Sequence, residues 1–304
     1  MLPTVDGWLA HHHNLSFPVP LTFNMASPAA GRRLGGLYRH LQRDVRPSSS
    51  SAAMYDNSLK DKVVLVTGGG DGIGGGMVKA FAASRACVVY CDLTEHADPP
   101  AGVHYIPCDV RDRGTIASVV ASCIETHGGL HVLCNNVGVV LEAGKPLHET
   151  SDDAWDTTMA VNLTSYFQFS KHAIPQMLAN GGGCIINTAS VQGLQSMPGV
   201  CSYAASKGAI SSLTRQMAVE YAAQGIRVNA ICPGSIATPM NVKFQEDEGR
   251  TLEEAAESIP MKRIGGMEEI GATAVFLASQ QASYITGQDI VVDGGLMAMG
   301  QWTN

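Results

Sequence analysis

Val63-Val64-Leu65-Val66-Thr67-Gly68-Gly69-Gly70-Asp71-Gly72-Ile73-Gly74 is the stretch on which the reading of this chain turns. Its opening apolar run is rich in β-branched residues and fits a strand buried on both faces, and such strands belong to parallel sheets covered by helices. The glycines that follow permit a tight turn and let backbone come close to a bulky anion. From Ile73 the apolar period lengthens to that of a helix, whose unpaired N–H groups point back at the turn. Strand, glycine turn and helix in this order form a pyrophosphate cradle. The spacing predicts that Thr67, Gly68, Gly70, Asp71, Gly72 and Ile73 line a dinucleotide site.

Outward from this unit, short apolar runs alternate with longer amphipathic stretches. Strands are predicted at 63–67, 86–91, 103–107, 131–135, 184–188, 227–232 and 289–292, and helices at 73–83, 115–126, 152–178, 203–223 and 268–278. With right-handed crossovers this is an α/β fold, a single Rossmann-type doubly wound parallel sheet of seven strands with helices on both faces, occupying residues 56–304. Residues 93–103 contain Pro99-Pro100 and are too few for a full crossover helix, so a loop is expected there. Residues 234–266 carry Pro and Gly at both ends and charges between, the composition of a mobile flap over a site.

Asp92 ends the second strand, 24 residues beyond Gly68. A carboxylate there accepts the ribose hydroxyls of NAD and repels the 2′-phosphate of NADP, and no Arg or Lys stands at position 71 or directly after Asp92 to receive that phosphate. After the third strand, Asp109-Val110 either meets the adenine or serves the start of the next helix as a cap. Farther on, Tyr203 and Lys207 are four residues apart and therefore share a helix face. A phenol ionises near pH 10, and a neighbouring ammonium favours the ionised form, which suits acid–base work at neutral pH.

Together these motifs resemble the short-chain dehydrogenase/reductase family, in its single-domain branch, from Leu59 to Gly295. The family's Thr-Gly-xxx-Gly-x-Gly loop matches Thr67, Gly68, Gly72 and Gly74, and its Asn-Asn-Ala-Gly matches Asn135-Asn136-Val137-Gly138 with Val137 in place of alanine. The active-site tetrad maps to Asn162, Ser190, Tyr203 and Lys207, with the family's spacing of thirteen positions from serine to tyrosine. The resemblance implies a hydride transfer between NAD(H) and an alcohol or ketone. In it Tyr203 donates or takes the proton, Ser190 bonds the substrate oxygen beside Gln192, and Lys207 binds the nicotinamide ribose and lowers the tyrosine pKa. Asn162 holds a helix backbone open for a water, while Asn136, Val137, Gly138, Pro233, Gly234, Ile236 and Thr238 complete the cofactor site. It also implies a homotetramer or homodimer paired through the helices at 152–178 and 203–223. Two alternatives accompany this reading. One is an NADPH-dependent 3-ketoacyl-carrier-protein reductase, which the segment 260–265 resembles. The other, a catalytically silent nucleotide-binding scaffold, expects a broken tyrosine, lysine or glycine motif, and none is broken.

Composition agrees with a small-molecule enzyme. A net charge of −7 lacks the clustered cations that a nucleic acid demands. No run reaches the ~18 apolar residues of a membrane span. Most of the eight cysteines sit in apolar runs without Cys-x-x-Cys spacing, as reduced structural thiols do. Residues 1–55 stand apart, with five arginines against two aspartates for a net +3, leaving −10 on the remainder. Being Arg- and Ser-rich, this extension has the composition of a mitochondrial or plastid transit peptide. A disordered tail, or a start at Met54 on a cytoplasmic enzyme, fits the same residues. His11, His12 and His13 are chain neighbours that cannot preorganise a site, so no metal is expected.

Overall fold

The computed structural model describes residues 59–299. The extension at 1–55, its histidines and Met54 lie outside the described residues. All seven predicted strands form: β1 (Val63–Thr67), β2 (Cys87–Asp92), β3 (His104–Pro107), β4 (Val132–Asn135), β5 (Gly183–Thr188), β6 (Ile226–Pro233) and β7 (Asp289–Val292). They make one all-parallel sheet in the order β3-β2-β1-β4-β5-β6-β7. The order reverses beside β1, whose five residues are all buried, and a ligand crevice is expected beyond the carboxyl ends of β1 and β4. Residues 93–103 form no helix, as the two prolines require.

The helices are α1 (Gly72–Ala83), α2 (Arg113–His127), α3 (Asp152–Met159), α4 (Ser165–Ala179), α5 (Cys201–Tyr221), α6 (Pro239–Asp247), α7 (Leu252–Ala256) and α8 (Met267–Ala278). Leu65, Val89, Leu133 and Ile185 of the sheet pack with Ile116, Val120, Phe169 and Met177 in the largest core cluster. On the other face α1 and α8 approach closely, since a Cβ on Gly76 would stand 2.6 Å from the Met267 carbonyl oxygen.

One expectation is corrected. The helix predicted at 152–178 is interrupted by a π-helical turn, Ala160–Thr164, between α3 and α4. One widened turn barely disturbs the apolar period, which is why the pattern reads as continuous. The stretch at 234–266, expected as a flap, carries α6 and α7. Thr238 caps α6 ahead of Pro239, and Thr251 with Glu254 forms a capping box on α7.

All eight cysteines are unpaired, six of them buried. Among the described residues no helix is long and apolar enough to cross a membrane, and no group of three or more His, Cys, Asp or Glu is arranged to hold a metal ion.

Candidate active site

The glycine turn after β1 is shaped by contacts a side chain would destroy. Gly68 has φ 66°, and a Cβ on it would lie 2.9 Å from Val137 Cα; one on Gly74 would lie 1.9 Å from the Gly68 carbonyl oxygen. The Asp71 carboxylate caps α1 by accepting from the Gly72 N–H at 2.6 Å. Thr67 Oγ1 accepts from the N–H groups of Asn136 and Val137 at 2.9 and 3.3 Å. The Asn136 side chain donates to the Thr67 and Gly68 carbonyls and accepts from Thr188 Oγ1, each at 3.2 Å. Thr67 and Asn136 thus tie together the turns that follow β1, β4 and β5, and their side-chain atoms are spent on the scaffold of the crevice.

Across this crevice stands the segment after β6. A Cβ on Gly72 would meet Thr238 Cγ2 at 3.7 Å. The Gly234 N–H donates to the Val292 carbonyl at 2.9 Å, and Ile236 is buried while its backbone bridges to Gly265. Asp92 ends β2 beside the cradle, its carboxylate accepting from the Gly70 N–H at 2.9 Å and the Leu93 N–H at 2.7 Å. Asp109 is held by Arg111, whose Nε donates to both carboxylate oxygens at 3.0 and 3.1 Å, and this keeps its carboxyl below the usual range. The cap of α2 is Asp112, not Asp109, and Val110 is buried.

The predicted tetrad converges from three elements. Ser190 follows β5 and is buried, its hydroxyl accepting from the Gln192 N–H at 3.1 Å. Tyr203 and Lys207 lie one turn apart in α5, and the Tyr203 phenol stands beside the Ser190 hydroxyl. Lys207 is only 3% exposed; Nζ donates to the Thr188 carbonyl at 2.7 Å and lies 5.5 Å from the Tyr203 ring centre. Asn162 sits in the π-turn. Its Nδ2 donates to the Val139 carbonyl at 2.9 Å and to Ser206 Oγ at 3.1 Å, while its Oδ1 accepts from the Val139 N–H at 2.8 Å. A Cβ on Gly138 would be 3.5 Å from Lys207 Nζ and 3.6 Å from Asn162 Oδ1, ordinary contact distances that place this glycine beside both side chains.

Burial pushes the Tyr203 phenol above its ordinary value, the adjacent Ser190 hydroxyl opposes this, and Cys232 adds to the rise. Burial also pulls Lys207 down to about 7. Desolvation penalises phenolate and ammonium alike, and Lys207 is not among the groups that shift Tyr203; the predicted lowering joins the lysine to a positively charged nicotinamide. Gln192 Oε1 accepts from the Met197 N–H at 3.0 Å, which folds the 192–197 loop. Together with Lys145, Cys201 and Ala204 these two residues line a cavity of about 410 Å³ that Ser190 and Tyr203 do not line. Arg111 and Tyr166 escape the sequence reading. Tyr166 occupies an apolar stripe like any core aromatic, and only its hydroxyl, which needs a partner when buried, signals more.

A family model described as enoyl-(acyl carrier protein) reductase matches residues 68–297. The 3-oxoacyl-[acyl-carrier-protein] reductase FabG of Thermotoga maritima is 37% identical over 248 residues, covering 79% of this chain and 99% of that protein. The 2,5-dichloro-2,5-cyclohexadiene-1,4-diol dehydrogenase LinX of Sphingobium indicum is 36% identical, covering 79% of this chain and 97% of that protein. Among solved structures, the ligand-free aldohexose dehydrogenase of Thermoplasma acidophilum superposes with a TM-score of 0.77 at 32% identity, covering 82% of this chain and 98% of that one.

Proposed function

Because the chain belongs to the short-chain dehydrogenase/reductase family, an oxidoreductase family that binds a nicotinamide cofactor, we propose that it moves a hydride between NAD(H) and an alcohol or ketone. The observation that carries the reading is the neighbouring pair of hydroxyls, Ser190 and Tyr203, backed by Lys207 at the end of a glycine-lined crevice.

The crevice fits a dinucleotide. Backbone N–H groups at the start of α1 suit a pyrophosphate, and any Cβ at Gly68 or Gly74 would fill the space that the turn keeps clear. Asp92 would bind the adenosine ribose, Asp109 and Val110 the adenine, Lys207 the nicotinamide ribose, and Pro233, Gly234, Ile236 and Thr238 the nicotinamide end. Bound there, the nicotinamide supplies or accepts the hydride.

The chain's own residues manage the proton. In the reducing direction Tyr203 donates its phenolic proton to the substrate oxygen while the Ser190 hydroxyl donates a hydrogen bond to that atom; in oxidation Tyr203 takes the proton back. A phenol raised by burial stays protonated and ready to donate, and Lys207 lies beside it, 5.5 Å from the ring centre. Asn162 acts at one remove, clamping Val139 so that the loop after β4 holds its place against Lys207. The NAD assignment rests on the Asp92 carboxylate, which opposes a 2′-phosphate.

Thermal-shift titration with NAD and NADP, followed by a panel of alcohols and ketones read by nicotinamide absorbance, tests the proposal. Stabilisation by NAD with turnover of a panel member is expected. The likeness to the Thermotoga maritima reductase favours a second reading, an NADPH-dependent reductase of carrier-bound 3-ketoacyl groups. Selective stabilisation by NADP together with reduction of a 3-ketoacyl thioester would establish it instead.

A further inference from the structure

Tyr166 lies four residues beyond Asn162 near the start of α4 and has no exposed surface. A phenylalanine would fill the same core space, so its hydroxyl requires an account. That hydroxyl shares its one proton between the Val137 carbonyl at 3.0 Å and the Thr188 carbonyl at 3.3 Å. The Thr188 carbonyl is the acceptor on which Lys207 Nζ rests at 2.7 Å. The ammonium also lies over the Tyr166 ring, 5.6 Å from its centre, at nearly the distance that separates it from the Tyr203 ring.

We propose that Tyr166 is a positioning residue for Lys207, its ring being one of two aromatic faces between which the ammonium is held in its charged form. The proposal rests on the reading of Lys207 as part of the catalytic set. Its physical basis is selective: an aromatic face attracts a cation within about 6 Å of its centre and has no comparable hold on a neutral amine, so the ring favours protonation. Burial works in the opposite sense, and little else opposes it. The titratable groups facing Lys207 are Tyr203 on its own helix, Tyr166 from α4 and the Cys232 thiol from β6. Thr188, Gly138 and Asn162, from β5, the loop after β4 and the π-turn, bring no charge. The two carbonyl contacts of the Tyr166 hydroxyl fix where its ring stands relative to the ammonium.

The test grades the ring without changing the core volume. Position 166 receives phenylalanine and then mono-, di- and trifluorinated phenylalanines, in which fluorine progressively withdraws the electron density that attracts a cation. In each full-length protein the ε-carbon resonance of Lys207, assigned by its absence from Lys207→Met, is titrated with pH in carbon-13-lysine-labelled samples. The expected result is a stepwise fall in the titration midpoint, of about half a pH unit or more across the series. The acid limb of kcat/KM should move in the same direction. A midpoint identical in all four proteins would overturn the proposal, since a purely structural Tyr166 alters thermal stability and leaves the lysine titration in place. A moving midpoint without turnover of any alcohol or ketone supports the role of Tyr166 and rejects the catalytic reading, whereas turnover with a fixed midpoint does the reverse.

Discussion

Replacing Lys207 by methionine should stabilise the folded chain below pH 7 while removing its catalytic function. Burial lowers this lysine from 10.5 to about 7, and at 1.36 kcal/mol per unit the buried ammonium costs up to about 5 kcal/mol relative to a neutral side chain. The sign follows from proton counts. Between about 7 and 10.5 the unfolded chain binds the lysine proton and the folded chain does not, so unfolding free energy rises with pH across that window. Below pH 7 both states are charged and the penalty is complete; near pH 9 roughly half of it has been relieved.

Methionine carries no charge into the site, but it leaves the Thr188 carbonyl without its 2.7 Å donor, at a cost of about 1–3 kcal/mol. The balance is a gain of roughly 2–4 kcal/mol at pH 6, shrinking by about 2–3 kcal/mol on going to pH 9. Urea unfolding of wild type and Lys207→Met at pH 6, 7.5 and 9, at equal protein concentration and without nucleotide, measures the difference directly. Groups common to both proteins cancel. A constant difference across these pH values, or a variant less stable than wild type throughout, would refute the argument that the lysine is held charged at the expense of stability. A residue retained against such a penalty is the pattern expected at a functional site.

Tyr203→Phe should reduce kcat by 10²–10⁴-fold while NADH binding, followed by fluorescence, stays near wild type; a variant retaining more than about a tenth of the rate contradicts the acid–base role. Asp92→Ser should weaken NAD binding and relax discrimination, and Asp92→Ser with Leu93→Arg should favour NADP. A carboxylate about 4 Å from one phosphate charge at intermediate dielectric opposes it by ~4 kcal/mol, near 10³-fold in kcat/KM, so a wild-type preference for NADP would overturn the assignment. Light scattering should show a dimer or tetramer at micromolar concentration, because the π-turn, α4 and α5 leave Leu163, Phe167 and Leu213 around an open apolar groove; a monomer rejects this, and Phe167→Arg should produce one.

How far the molecule was legible in its residues depends on the range of the physics involved. The β1 turn and α1 were readable because every requirement is local: an apolar run, glycines where a Cβ would strike Val137 or the Gly68 carbonyl, and a cap at Asp71. The helices α6 and α7 were equally local, for Thr238 before Pro239 and Thr251 before Glu254 are cap signals, yet the prolines and glycines bracketing them suggest a flap more loudly. The π-turn at Ala160–Thr164 is of another kind. Its widened turn answers to Asn162 reaching Val139, a contact across 23 residues that no periodicity records. Charge shows the same division. The placement of Asp92 at a strand end, with the Gly70 and Leu93 N–H groups on its carboxylate, is likewise local, so position alone predicts it. Spacing can place a lysine near a tyrosine, but whether it lowers that tyrosine depends on how completely the chain expels water from both. Here α5 sets Tyr203 against Ser190 and β6 brings Cys232 toward both Tyr203 and Lys207, so the sign of each shift is a sum over elements remote in sequence. The convergence of Asn162, Ser190, Tyr203 and Lys207 could therefore be read from the sequence, while their protonation states belong to the packed core around them.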